Sequence, residues 1–367
     1  MSNDASQPEL GAQEVEADDG AGGPLPHVWV VRAGKGGQYA SDFEELGLVA
    51  IGFAEISSVE GLDRDEIFDR AKTALGSKGG NVGGQIYRFA DAMEVGDLVV
   101  VPDGGTRELL YGRVKGPYEH PTEAPLEGFR HVRKVEWLGR RNRDELPDRI
   151  LFSLGSLLTV FEPAEQSHLA RYLLTGEDPS ALTPDTNGSD DSGDSSSAPS
   201  AGEQGARNKE LIGKKIAALG WSETQDLVAD VLRAMDYTAE VAKAGADGGI
   251  DVLACRDPLF LHPPVIKVQV KARPDTKISA EEIRQLSGIV DRGSERGIFV
   301  ATGGFTKNAT TEAAQMGIKL WDLEDLVDVF LDTYRSLGDR SQDLIPLTQI
   351  WVLEDPDESD SGSDRIG

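Results

Sequence analysis

The sequence predicts a two-domain protein of α/β class: a small β-barrel unit of α+β character, followed by a layered α/β unit. Three observations carry this reading. The 367 residues exceed one ordinary domain. The stretch from Thr175 to Gly205 is almost free of large apolar side chains and rich in Ser, Asp and Gly, so it divides the chain as a flexible linker. Before it, short apolar runs alternate with glycine-containing turns; after it, strand-like runs alternate with amphipathic segments of helix length.

These divisions give a disordered leader (1–26), a first domain (27–174), the linker (175–205), a second domain (206–336) and an edge segment with an acidic tail (337–367). The formal net charge is −27, and its location matters more than its size. Residues 1–26 carry −6, 176–205 carry −7 and 336–367 carry −6, which leaves both domains nearly neutral. A polyanionic partner is therefore not excluded. The acidic stretches fit a high-salt host or ordinary solubilising tails equally well.

The single cysteine, Cys255, sits in an apolar run and allows no internal disulfide, which fits a reducing cytoplasm. No apolar core follows basic residues near the start, and no long apolar run occurs, so neither secretion nor a membrane span is expected.

In the first domain, HVWVVRAG from His27 and the LVAIGFAEI run read as strands around a GKGG turn, and Arg64 to Leu75 as a helix. The glycine-rich GSKGGNVGGQ (Gly76 to Gln85) reads as a mobile loop, because it lacks Walker spacing. Further strands follow at VGDLVVVPDGG, LLYGRVKGPYEH and HVRKVEWLGR, with a short helix near LFSLGSLLTVF. Many short strands with glycine punctuation indicate a curved, barrel-like sheet.

The second domain opens with a helix from Glu223 to Tyr237, whose Leu227, Val228, Val231, Leu232 and Met235 share one face. Two strands follow, Ile250 to Ala254 and Val265 to Val270, then a helix from Ala280 to Arg292. The strand GIFVATGG, the helix TKNATTEAAQM, the strand IKLWDL and the helix EDLVDVFLDTYRSL complete the alternation, and IPLTQIWVL could add an edge strand.

The chemistry concentrates on the two neighbouring strands. Val268 and Val270 alternate with Gln269 and Lys271, so the amide and the ammonium share a face, and Asp251 can join them from the adjacent strand. One carboxylate plus carbonyl oxygens suits a hard divalent cation, and a lysine beside it can stabilise negative charge or orient a water. On spacing alone, the same residues also fit a charged strand end with a snorkelling lysine.

The longer pattern decides further. DGGIDV (Asp247 to Val252), VQVKAR (Val268 to Arg273), the QLSG helix (Gln285 to Gly288), GIFVATGGFT (Gly297 to Thr306) and KLWDLEDL occur in order. Over about residues 221–335 the chain resembles the Mrr-like restriction endonucleases, a branch of the PD-(D/E)xK nuclease superfamily. The resemblance implies a restriction-endonuclease-like α/β/α core with a mixed sheet. It implies that Asp251 binds metal, that Gln269 fills the second acidic position as a QxK variant, and that Lys271 stands by the attacking water. The backbone carbonyl of Val270 would complete the metal shell, with Mg2+ as the cofactor and Mn2+ as an alternative. Gln285 would face the site, and the ATGGFT turn with Thr306 would approach phosphate. Gln replaces Glu at position 269, which should weaken metal binding. The family's opening-helix glutamate falls on Gln225, with Glu223 as the residue that a shifted register would supply.

The first domain, over about 27–165, resembles the PUA/EVE-like small barrels in its VGD-apolar hairpin and YGRV strand. That likeness implies a nucleic-acid reader, some of whose relatives take a modified base into a pocket. Trp29, Arg32, Phe53, Gln85 and Tyr87 are the base-reading candidates, although an ordinary barrel core accounts for any one of the aromatics more readily. The basic run RHVRKVEWLGRRNR, with Arg130, Arg133, Lys134, Arg140 and Arg141, is the candidate backbone contact or else a solvated strand and turn.

The five histidines lack metal spacing, one cysteine cannot build a zinc site, and neither a G-x-S-x-G elbow nor a dinucleotide fingerprint is present. The expectation is a Mg-dependent endonuclease acting on double-stranded DNA, directed to modified DNA by a tethered reader. A linker raises the local concentration of the cutter while leaving the cut distance loosely defined. Cutting both strands suggests a homodimer. A repair or recombination nuclease acting on branched or single-stranded DNA, and a non-catalytic nucleic-acid-binding protein, remain the rival readings.

Overall fold

The computed structural model describes residues 25–178, 201–242 and 249–349. Nearly all of the expected leader, most of the linker, the end of the acidic tail and Asp247 lie outside these residues.

The first half is built on strands β1 (Val28–Val31), β2 (Leu48–Ile51), β3 (Leu98–Asp103), β4 (Glu108–Glu119), β5 (His131–Asn142) and β6 (Val160–Phe161). They form one sheet in the order β2-β5-β4-β3-β1-β6, with β1 and β3 parallel and the other pairs antiparallel. This is an open sheet with β2 and β6 at its edges, not the small closed barrel expected from the sequence. The reason lies in strands such as VWVV, which are apolar on both sides. Trp29 and Val31 enter a core with Phe43, Ile67, Ile86 and Phe89. Val28 and Val30 enter another with Ile150, Leu151, Leu169 and Tyr172. A barrel has one interior, whereas two apolar faces need two covers. Helices α1 (Ala40–Leu46), α2 (Arg64–Leu75) and α3 (Gly79–Tyr87) cover one face, and α4 (Asp148–Leu154) and α5 (Gln166–Thr175) the other.

Helix α3 corrects the reading of the glycine run as a mobile loop. A Cβ at Gly79 would stand 2.4 Å from the Cα of Lys72, and one at Gly83 3.3 Å from the Ala71 Cβ. The glycines let α3 lie directly on α2. Contact between the two helices, not local propensity, holds this segment helical.

The second half contains α6 (Ala201–Ala217), α7 (Trp221–Ala234), β7 (Thr238–Val241), β8 (Val252–Cys255), β9 (Val265–Lys271), α8 (Ala280–Ile289), β10 (Glu295–Ala301), α9 (Lys307–Met316), β11 (Ile318–Trp321), α10 (Leu323–Thr333) and α11 (Asp339–Leu344). Its sheet runs β11-β10-β9-β8-β7. Strands β9, β10 and β11 are parallel, while β7 and β8 are antiparallel neighbours, so the sheet is mixed as expected. Val268 and Val270 pack with α6, α7 and α10 on one face. Phe299 and Ala301 pack with α8 and α9 on the other. The result is an α/β/α sandwich.

Two expectations fail at the margins. Helix α6 begins inside the stretch read as linker, because Gly155 lets it sit against α4: a Cβ there would be 2.3 Å from the Arg207 Cα. The expected edge strand at IPLTQIWVL does not form over its described part, Ile345 to Gln349, where Ile345 is instead buried in the core. Among the described residues, no helix is long and apolar enough to cross a membrane.

Candidate nuclease site

The site forms where β8 and β9 part. Asp251 immediately precedes β8. Its N–H donates to the Val268 carbonyl at 2.8 Å, and its own carbonyl accepts from Ala242 at 2.9 Å, so its backbone is fixed on both sides. One carboxylate oxygen, Oδ2, accepts the Val270 N–H at 2.6 Å. The other, Oδ1, accepts Nε2 of Gln225, reaching across from α7, at 2.6 Å. Because a residue's N–H and C=O point to the same edge of a strand, the Val270 carbonyl also turns towards Asp251.

Gln269 and Lys271 lie on the opposite side of β9 from Val268 and Val270, as strand alternation requires. Gln269 is buried, and its Oε1 has no hydrogen-bond partner. Its Nε2 lies against Gly249, where a Cβ would stand 3.2 Å away and where φ is +99°. A side chain at 249 would therefore meet both strain and the amide. Lys271 is half-buried at the strand end, close enough for its charge to favour the Asp251 carboxylate. Burial nevertheless dominates and pushes the Asp251 carboxyl above its ordinary value; the Val270 N–H, Gln225 and Lys271 only moderate the rise.

The residues fit a hard divalent cation. A carboxylate in a desolvated position, a strand carbonyl and an amide oxygen left without a donor form an oxygen-only set. Among the described residues there is no group of three His, Cys, Asp or Glu side chains, so a site here relies on amide and carbonyl oxygens.

The remaining candidates fall elsewhere. Glu223 is exposed and its carboxylate accepts the Gly220 N–H at 2.9 Å, closing the start of α7; Gln225 occupies the inward position. Gln285 is exposed on α8, which presents Ile283 and Leu286 to the core. Thr306 caps α9 by accepting from Ala309 at 3.2 Å. The turn before it is packed against the first half: a Cβ at Gly304 would be 2.3 Å from the Gly105 carbonyl oxygen.

The base-reading candidates are mostly internal. Trp29 is 3% exposed with its indole N–H on Asp97. Arg32 donates to the Leu154 and Ser156 carbonyls. Gln85 is buried between Asn81 and the Thr159 N–H. Phe53 and Tyr87 are half-buried, Tyr87 beneath the Arg64 guanidinium. The basic run is similarly engaged. Arg133 is buried on the Phe89 and Ala90 carbonyls, and Arg140 bridges Glu44 and Asp103. Arg141 donates to Leu173, and Lys134 pairs with Glu119. Arg130 is exposed.

The fold and this strand-end site define a nuclease domain of the restriction-endonuclease fold. Residues 216–330 match the family Mrr_cat, described as restriction endonuclease, and this part of the chain is a restriction endonuclease domain of that family. Domains of this family generally use divalent metals. Residues 29–158 match DUF8426, a domain of unknown function. The chain is 30% identical over 132 residues to the uncharacterized protein y4cE of Sinorhizobium fredii, a match that covers 34% of this chain and 33% of that protein. It thus spans about a third of the relative's length. The DNA modification-dependent restriction endonuclease AspBHI is 14% identical over 76% of this chain and 71% of its own, with a TM-score of 0.31. The MspJI restriction endonuclease, solved with a 27-mer oligonucleotide, is 14% identical over 73% and 68%, with a TM-score of 0.28.

Proposed function

We propose that this protein is a Mg2+-dependent endonuclease of restriction type that hydrolyses phosphodiester bonds of double-stranded DNA, and that its first half directs it to modified DNA. The observation that supports this best is the buried Gln269 Oε1, left without a partner next in the strand to Val270, whose N–H holds the Asp251 carboxylate, and at the same strand end as Lys271. A buried acceptor without a donor costs about 1–3 kcal/mol, so its retention in a polar strand end suits a ligand that satisfies it.

Asp251, the Gln269 amide oxygen and the Val270 carbonyl would hold the cation. Bound there, Mg2+ would supply charge to neutralise the phosphate and acidify a bound water. Lys271 orients the attacking water and stabilises negative charge building on the phosphoryl oxygens. The water oxygen bonds to phosphorus and gives up a proton to solvent, a phosphorus–ester oxygen bond breaks, and the departing oxygen takes up a proton from solvent. Gln225 holds Asp251 in its rotamer without adding charge. Cutting both strands requires two such sites, which a homodimer provides.

The test is cleavage of matched plain, cytosine-modified and adenine-modified duplexes with Mg2+, in low and high salt, with Asp251→Ala as control. Cutting confined to modified DNA, absent in the variant, is the expected result. Equal cutting of all three would remove the reader role, and no cutting in any condition would remove the enzymatic reading.

A further inference from the structure

We infer that the first half and the nuclease domain are docked as one body, with Glu210, Asp103 and Lys277 as positioning residues that fix how far from the recognised site the DNA is cut. The inference rests on the DNA-directed reading above for its functional meaning, and on two separate contacts for its geometry.

The first contact is a clamp around α6. One side of this helix contributes Ile212 and Ile216 to the nuclease core. Its Glu210 is turned the other way, into the first half, where it meets Arg107 at 3.0 Å and Arg143 at 3.3 Å. Both guanidiniums are almost wholly buried, and Arg107 is shared with Asp144. Burial would push the Glu210 carboxyl up, but Arg143, Arg107 and Arg32 together hold it below its usual range. One turn on, Lys214 bonds the Leu146 carbonyl and Asp148, each at 3.0 Å. Removing Glu210 would leave buried Arg143 without its carboxylate beside Arg107, which keeps only Asp144, so the helix is bound to the first half by more than surface ion pairs.

The second contact lies beside the catalytic strand end. Asp103, 3% exposed at its side chain, receives Lys277 of the nuclease domain at 2.9 Å and Arg140 of its own sheet at 2.9 Å. Next to it, the Gly105 backbone lies on Gly304, where a Cβ would stand 2.3 Å from the Gly105 carbonyl oxygen, so there is no room for a side chain. Thr302, which precedes Gly303 and Gly304, donates its N–H to the Lys271 carbonyl at 3.1 Å. The first half therefore rests against the loop next to Lys271, and displacing it would disturb the surroundings of the site. A loosely tethered cutter would bury neither these charges nor this backbone.

The experiment maps cut positions on whichever duplex the enzyme cleaves, for the wild type, Glu210→Gln, Lys277→Ala and the double variant. Amide hydrogen exchange of α6 and of the turn from Asp103 to Thr106 is followed in the same proteins without DNA. The wild type should cut in one narrow window and protect both segments. In the double variant the window should widen several-fold, with protection lost in both segments but retained in the strands of both sheets. A wild type that cuts over a broad window, or whose turn exchanges freely, would overturn the inference, as would an unchanged window in the double variant. Protection without any DNA cleavage would support docking and refute the nuclease reading alone.

Discussion

Gln225 donates its side-chain amide to the Asp251 carboxylate over 2.6 Å, joining the opening helix of the nuclease domain to the candidate site at the strand end. Both groups are buried, and the partner is neutral. A glutamate in that place would set a second negative charge against the first, so the amide keeps Asp251 aimed without that repulsion. Gln225→Ala should leave a folded protein that is less stable by about 1–2 kcal/mol. Its cleavage rate should fall while DNA affinity holds. Unchanged cleavage would remove Gln225 from the site.

Asp251 is expected to trade stability for chemistry. Its carboxyl titrates above the ordinary value in the folded protein because burial disfavours the charge. The folded state therefore loses stability as pH rises from the ordinary carboxylate range through the raised value. Asp251→Asn, which stays neutral, should melt at a higher temperature than the metal-free wild type and show no cleavage. Acidification towards the raised value should depress wild-type cutting first. A lower melting temperature for the variant would contradict the desolvation argument.

Lys271→Ala should abolish cleavage while DNA binding stays nearly intact, because in the proposed mechanism the lysine serves the reacting groups at one strand end. Retention of wild-type cleavage would exclude it from catalysis.

Gln269→Glu restores a charge where the chain carries an amide. Metal affinity should rise, read as a larger thermal upshift on adding Mg2+ or Mn2+ than the wild type shows. Identical upshifts in the two proteins would mean that position 269 does not touch the cation.

His131 predicts an acid sensitivity unrelated to catalysis. It is fully buried, with Nδ1 on the Tyr118 hydroxyl at 2.8 Å. Burial, with neighbouring His120, lowers its pKa from 6.5 to about 4. The unfolded chain takes up that proton first, so stability is complete above pH 6.5 and falls as pH drops towards 4. The loss attributable to this group is about 3 kcal/mol. Urea unfolding of the wild type and His131→Gln at several pH values should show a shallower acid decline in the variant.

The nuclease core was legible because its signals are local. Alternation along Val268 to Lys271 assigned the faces of β9, and the helices and strands followed in the expected order. The first half was harder, since what decides it is long-range. Trp29 reads as core or as a base platform, and its place in the core and its bond to Asp97 separate the two. Arg133 and Arg140 looked like a basic patch, but their partners lie 17 to 96 residues away. The glycine run was misread for the same reason: its helix depends on contact with α2, which no local propensity reveals. Glu210 carried no sequence signal, because its meaning comes from Arg107 and Arg143, in turns that flank strands of the first half.

The clamp on α6 also changes what the chain's continuity is for. Helix α5 belongs to the first half and α6 grips that half through Glu210, so these contacts should hold the two together whatever the length of the peptide connection between them. Its length is then free to drift between relatives, and inserted sequence there should be tolerated. Two polypeptides made separately, one ending after Asp178 and one starting at Ala201, should find each other and co-purify as a reconstituted enzyme.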